Sequence, residues 1–242
     1  MWRISAIKAN ALNNLTPYYF YALGVVLVSQ LLTLATGSLA LEVHSPITNN
    51  LNELIEQINA NYRLYLYASI GSIISNTIIL LLLQNPLTVG VFRFFHQASQ
   101  GNITFRSLAY SFSRKTYLPI LKTTALCWLK IFLWSLLLFI PGIVKSYQYY
   151  FVNMILCDQP KLSPKKALLL SRRLTDGQKA KILLFNLSFI PIFLIGILVC
   201  GIGLLLILPY YYAANIQLYQ TIKGQAFADG ILSAADFEPG EC

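Results

Sequence analysis

The sequence predicts an all-α, polytopic membrane protein: six transmembrane helices as three two-helix hairpins, with amphipathic interfacial helices between them. Three observations carry this reading. The 242 residues are 56% hydrophobic and only 11% charged, where an ordinary soluble domain carries about 25% charged residues. The few charges leave gaps of 33, 29 and 41 residues, from Lys8 to Glu42, Arg63 to Arg93 and Lys181 to Lys223, and a helix needs about 20 residues to span a bilayer. The basic residues then gather on alternate connections, the pattern that sets membrane orientation. A soluble helical core of this size would need far more polar covering than the chain owns.

Taken in order, the first span covers residues 17–41. Its Ser38-Leu39-Ala40 resembles a small-x-small cleavage site, but 25 apolar residues exceed the roughly 7–15 of a signal h-region, so a retained span is expected. The second span covers 65–92 and holds Pro86. A third covers 119–140, Pro141-Gly142 makes a turn, and a fourth runs 142–157. The last gap would reach about 62 Å as one helix at 1.5 Å per residue. It must fold back near Gly201-Ile202-Gly203, giving spans at 182–200 and 204–222, the last kinked at Pro209.

Fifteen of the eighteen basic residues fall before span one, between spans two and three, between four and five, or after span six. That side is the cytoplasm by the positive-inside rule, so both termini are expected there in a bacterial plasma membrane. Arg63 and Lys145 fall on the outer side, with Glu42, Glu53 and Glu56. Each hairpin follows a short amphipathic segment: "WRISAIKANAL" (2–12), "TFRSLAYSFSR" (104–114) and "SPKKALLLSRRL" (163–174). Thr104 and Ser163 suit N-caps and Pro164 suits the first helical position. The order repeats weakly over 1–101, 102–160 and 161–224, leaving a cytoplasmic tail at 225–242. Pro86 and Pro209 each stand fifteen residues before a glycine, Gly101 and Gly224, and Pro141 stands seventeen before Asp158. Units of two spans share one orientation, which makes the repeat parallel rather than inverted.

The chemistry-bearing motifs are missing from the sequence. It has no G-x-x-x-x-G-K-[ST], H-E-x-x-H or G-x-S-x-G. Cys127, Cys157, Cys200 and Cys242 lack metal-ligand spacing, and His44 and His96 fall on opposite faces of the predicted topology. No carboxylate lies within a span, so a proton relay lacks its usual residue. Enzyme activity, a cofactor, a metal and a nucleic-acid partner are therefore not expected. The candidate contacts are electrostatic. Lys145 is expected near the outer boundary, where Tyr147, Tyr150 and Asn153 would join it against an anionic lipid or ligand. Lys165, Lys166, Arg172 and Arg173 would meet the inner leaflet from an interfacial helix ending near Gly177. Anionic lipid attracts such residues by about 1 kcal/mol each.

Three stretches carry a family resemblance: "NPLTVGVFRFFHQASQGN" (85–102), "LWSLLLFIPGIVKSYQYYFVNMILCDQPKLSPKKALLLSRRLTDGQK" (133–179) and "GIGLLLILPYYYAANIQLYQTIKG" (201–224). They resemble the bacterial membrane family known as domain of unknown function 975. The most specific pieces are Pro141-Gly142-Ile143-Val144-Lys145 and Pro209-Tyr210-Tyr211. The resemblance implies a polytopic protein of the kind commonest in Firmicutes, and it brings no catalytic residues. Two function classes follow. One is a non-enzymatic accessory protein for lipid organisation, export or envelope stress, with lipid, a membrane protein or a second copy as partner. The other is a small transporter or flippase-like carrier for an anionic or amphipathic substrate.

Overall fold

The computed structural model describes residues 2–37, 50–198 and 202–237. Among the described residues the regular structure is helical: α1 (Ile4–Leu15), α2 (Tyr19–Gly37), α3 (Leu51–Ile79), α4 (Asn85–Ala98), α5 (Arg106–Tyr110), α6 (Tyr117–Leu137), α7 (Phe139–Gln148), α8 (Val152–Asp158), α9 (Pro164–Thr175), α10 (Lys179–Leu187), α11 (Ile190–Leu198) and α12 (Ile202–Ala228). Cys200, Cys242, His44 and the predicted turn residue Gly201 lie outside the described residues.

Among the described residues, four stretches are long and apolar enough to cross a membrane: Ile4–Leu34, Ser69–Ala98, Tyr117–Leu137 and Lys179–Leu198. They contain or overlap the first, second, third and fifth predicted spans. Only 17% of the Tyr117–Leu137 window and 22% of the Lys179–Leu198 window is buried within the protein. At their tips Leu136, Ile140 and Leu198 are 75%, 74% and 83% exposed. Continuous apolar surface of this kind calls for an apolar surrounding. The sixth predicted span lies within α12, which packs on α11, α1 and α2.

The prolines act where their missing N–H groups dictate. The α3 helix passes through a π-helical turn at Leu80–Gln84 into α4. Pro86 cannot donate to Leu82 O, and Tyr117 OH donates to that carbonyl instead, at 3.0 Å. Tyr19 OH donates to Leu206 O, in the turn before Pro209, at 2.9 Å. Pro141 sits in the first turn of α7, where no N–H is required, and the helix begins three residues earlier than the sequence suggests. The whole α6–α7 turn is one extended residue, Leu138, with φ −160° and ψ 141°. Gly142 makes this possible, since a Cβ there would stand 2.3 Å from Ser135 Oγ and 2.9 Å from Ser135 Cα.

The predicted fourth span is not one helix. It breaks between Gln148 and Val152 into α7 and α8. A break frees backbone groups that must find partners, and α9 supplies them. Ser171 Oγ donates to Gln148 O at 3.0 Å and accepts from the Phe151 N–H at 3.2 Å. Thr175 Oγ1 also reaches Gln148 O, at 3.3 Å. Both hydroxyl residues are fully buried.

The amphipathic segments form, but they pack on protein. Ser163 caps α9 by accepting from the Lys166 N–H, and Gly177 follows its end with φ +68°. The expected face, Ala167, Leu170 and Leu174, is buried against α6 and α8, not left free for lipid. The α1 helix buries Ile7, Ala11 and Leu15 against α12, and Lys8 Nζ donates to Ser188 O at 2.8 Å. The middle segment shortens to α5, pressed on α4. The tail is not loose: Leu232 and Phe237 are buried, and Arg173 Nη1 lies 3.2 Å from Asp236 Oδ1.

Candidate functional site

The densest polar cluster joins three helices at Asp158. Arg93 on α4 donates through Nη1 to Cys157 O at 2.8 Å, filling one of the carbonyls that a helix end leaves open. This holds the end of α8 against α4 and fixes Asp158 beside it. The Asp158 side chain is only 8% exposed. Its Oδ2 accepts from Lys223 Nζ at 2.6 Å and from Tyr219 OH at 2.8 Å. Its Oδ1 is buried, with His96 Nε2 3.1 Å away.

The surroundings of the imidazole decide its tautomer. Gln220 Nε2 lies 3.2 Å from His96 Nδ1 and donates there in the tautomer that carries the ring proton on Nε2. Asp158 Oδ1 nevertheless accepts no hydrogen bond, so one oxygen of this buried carboxylate is left without a donor. Gln100 Nε2 also stands 3.3 Å from His96 Nε2, which suits a carboxamide turned to present its oxygen.

These residues share a register relative to Pro86 and Pro209. His96 and Tyr219 each stand ten residues after their repeat proline, Pro86 and Pro209. Gln97 and Gln220 each stand eleven after, and Gln100 and Lys223 fourteen after. The end of the middle unit, Asp158, receives equivalent positions from the other two. Sequence reading missed this site. Its available signals were that register and the isolation of Asp158, the one acid between Glu56 and Asp176.

A cavity of about 460 Å³ opens beside the cluster, lined by Arg93, His96, Gln97, Gln100, Lys223 and Phe237 among others. The residues singled out from sequence lie elsewhere and do not form one site. Tyr147 and Tyr150 stack with centroids 6.0 Å apart and line a second cavity, of about 420 Å³, with Asn186 and Tyr211. Tyr150 OH bonds to Asn186 Oδ1 at 2.9 Å and to Asn215 Oδ1. Asn215 Nδ2 donates to Tyr211 O at 2.8 Å. Asn153 lines a separate cavity of about 200 Å³ with Asn85 and Tyr149.

Lys145 lines neither of these cavities. Its Nζ stands 4.8 Å over the Trp134 ring, a cation–π contact worth about 0.5–2 kcal/mol. The charges it feels are Arg172, Lys130 and Lys179. Lys145 therefore lies near Arg172 and Lys179, residues expected at the inner leaflet. On α9, Lys165, Arg172 and Arg173 are exposed and Lys166 is half-buried.

Residues 136–226 match the family model described as Protein of unknown function (DUF975). The match covers 91 of the chain's 242 residues. It spans the α6–α7 turn, the broken α7–α8 segment, α9 to α11 and nearly all of α12, so the Lys145 cluster and the Asp158 and Lys223 half of the polar site fall inside the DUF975 region. Arg93 and His96 lie before it. No curated protein and no solved structure matches the chain.

Proposed function

We propose that this DUF975 protein is a multi-pass membrane protein, with both termini cytoplasmic, that acts without chemistry as an accessory protein by gathering anionic lipid headgroups. The observation that carries this reading is the cluster of Lys130, Lys145, Arg172 and Lys179. Cations brought together raise one another's energy, and an anionic headgroup relieves that repulsion from outside the chain. The exposed apolar surface of α6 and α11 supports the membrane setting, and the positive-inside count supports the orientation. The six crossings are α2, α3–α4, α6, α7–α8, α10–α11 and α12.

A small carrier is the second reading, favoured by the break in α7–α8, because interrupted helices line many transporter sites. The freed groups there are filled by Ser171 and Thr175 and offer little to a substrate. The span amides Asn186 and Asn215 are likewise engaged with Tyr150. Both facts favour the accessory role.

Lipid retention tests the reading. Purified from membranes containing phosphatidylglycerol, the protein is expected to keep that lipid in native mass spectrometry. Lys145→Met should lose most of it and Lys145→Arg should keep it. Equal retention in Lys145→Met refutes the role given to this lysine. Orientation is read in a cysteine-free background, where a thiol at Asn50 should react from outside intact cells and one at Ser113 should not. Ser113 is exposed, whereas its neighbour Ser107 is buried and would stay silent on either side.

A further inference from the structure

We propose that the cavity between α4, α8 and α12 is a binding site for a phosphoryl group, separate from the Lys145 cluster. The charge count is the first support. Asp158 is 8% exposed and its Oδ2 takes two donors within the chain, whereas Lys223 is 26% exposed. An ammonium has three N–H groups and a guanidinium five. Lys223 gives one to Asp158 and Arg93 gives one to Cys157 O, so both cations keep donors for a guest. Gln97 and Gln100 add carboxamides to the same lining.

The neighbouring cleft is the second support. It measures about 420 Å³, shares Arg93 and Gln97 with the first, and adds Arg106, Thr104 and Ser113. Across both clefts Arg93, Arg106 and Lys223 stand against the single carboxylate of Asp158. The excess of two positive charges matches a phosphoryl dianion. Arginine presents a planar fork suited to such an oxyanion, and donors arriving from α4, α5 and α12 suit a tetrahedral group better than a flat carboxylate. Phe227 and Phe237, with ring centroids 5.8 Å apart, give the 460 Å³ cavity an apolar wall for a small organic portion. The shared chemistry is a phosphate ester, whether a lipid headgroup or a soluble phosphomonoester.

The experiment uses the full chain in phosphatidylcholine nanodiscs. One arm titrates glycerol 3-phosphate by calorimetry. The other adds phosphatidic acid to the nanodisc lipid and follows Tm. The proposal expects saturable binding or a Tm rise in at least one arm. That response should weaken about ten-fold or more in Gln97→Leu and in Lys223→Gln, as expected for lost hydrogen bonds to a charged group, and should persist in Lys165→Gln. Gln97 bonds no member of the Asp158 cluster, so Gln97→Leu still reports on the cavity if Lys223→Gln fails to fold. A response to glycerol 3-phosphate identifies a soluble ester; a response to phosphatidic acid alone identifies a headgroup. Silence in both arms, or a response that Gln97→Leu keeps, overturns the proposal. A phosphatidic-acid response lost in Lys145→Met but kept in Gln97→Leu also overturns it, while leaving the lipid-gathering reading intact.

Discussion

Around Asp158 one carboxylate meets an imidazole, an ammonium and a phenol drawn from two other helices, the last two bonded to its Oδ2. Around Lys145 the charges within reach are all positive, and the ammonium rests on an aromatic ring. The first arrangement closes within the chain and ties α4, α8 and α12 together. In the second, Asp176 pairs with Lys179 at 3.3 Å, which leaves an excess of positive charge among the described residues. A charge in the first region should therefore matter most for stability, and one in the second for what the protein holds.

Substitution at Asp158 breaks this comparison most severely. Asp158→Ala leaves Lys223 and Tyr219 without their acceptor, and losing one partner of a buried pair costs about 3–5 kcal/mol. A large fall in Tm is expected in detergent, with Asp158→Asn intermediate. Lys145→Met should change Tm little under the same conditions. Comparable losses in both variants would erase the distinction.

The helix break gives a smaller effect. Ser171→Ala orphans the Phe151 N–H and leaves Gln148 O with Thr175 alone, and an orphaned buried group costs about 1–3 kcal/mol. Amide exchange should rise at Phe151 and Val152 in this variant. Unchanged protection there would mean that Ser171 does not stabilise the break. At Gly142 the added methyl must displace Ser135, and overpacking costs about 1–3 kcal/mol. Gly142→Ala should lower Tm, and Ser135→Gly in the same chain should recover part of the loss. The smallest effect belongs to Tyr117→Phe, which leaves Leu82 O without its donor at a cost of about 1 kcal/mol. A Tm equal to that of the parent would show another donor taking over at Pro86.

Much of the architecture is legible in sequence because charge gaps, prolines and caps are local. The gap from Arg63 to Arg93 forecasts the α3–α4 crossing, Ser163-Pro164 the start of α9, and Pro141-Gly142 a tight turn. What escapes notice depends on distant partners. The break after Gln148 exists because Ser171 and Thr175 on another helix accept its cost. The apolar face of α9 looks ready for lipid, yet α6 and α8 cover it. Lys145 and Arg172 meet because α9 turns back beside α7 and α8. The Asp158 cluster draws on residues more than sixty positions apart. Of the candidate set, Tyr147 and Tyr150 do share a cavity, while Lys145 and Asn153 point to other places.

Lipid-dependent stability tests the comparison most directly. Tm is followed in nanodiscs of phosphatidylcholine with and without phosphatidylglycerol, for the parent chain, Asp158→Asn and Lys145→Met. The account predicts that anionic lipid raises Tm by a similar amount in the parent and Asp158→Asn, and by much less in Lys145→Met. An equal rise in all three would contradict it.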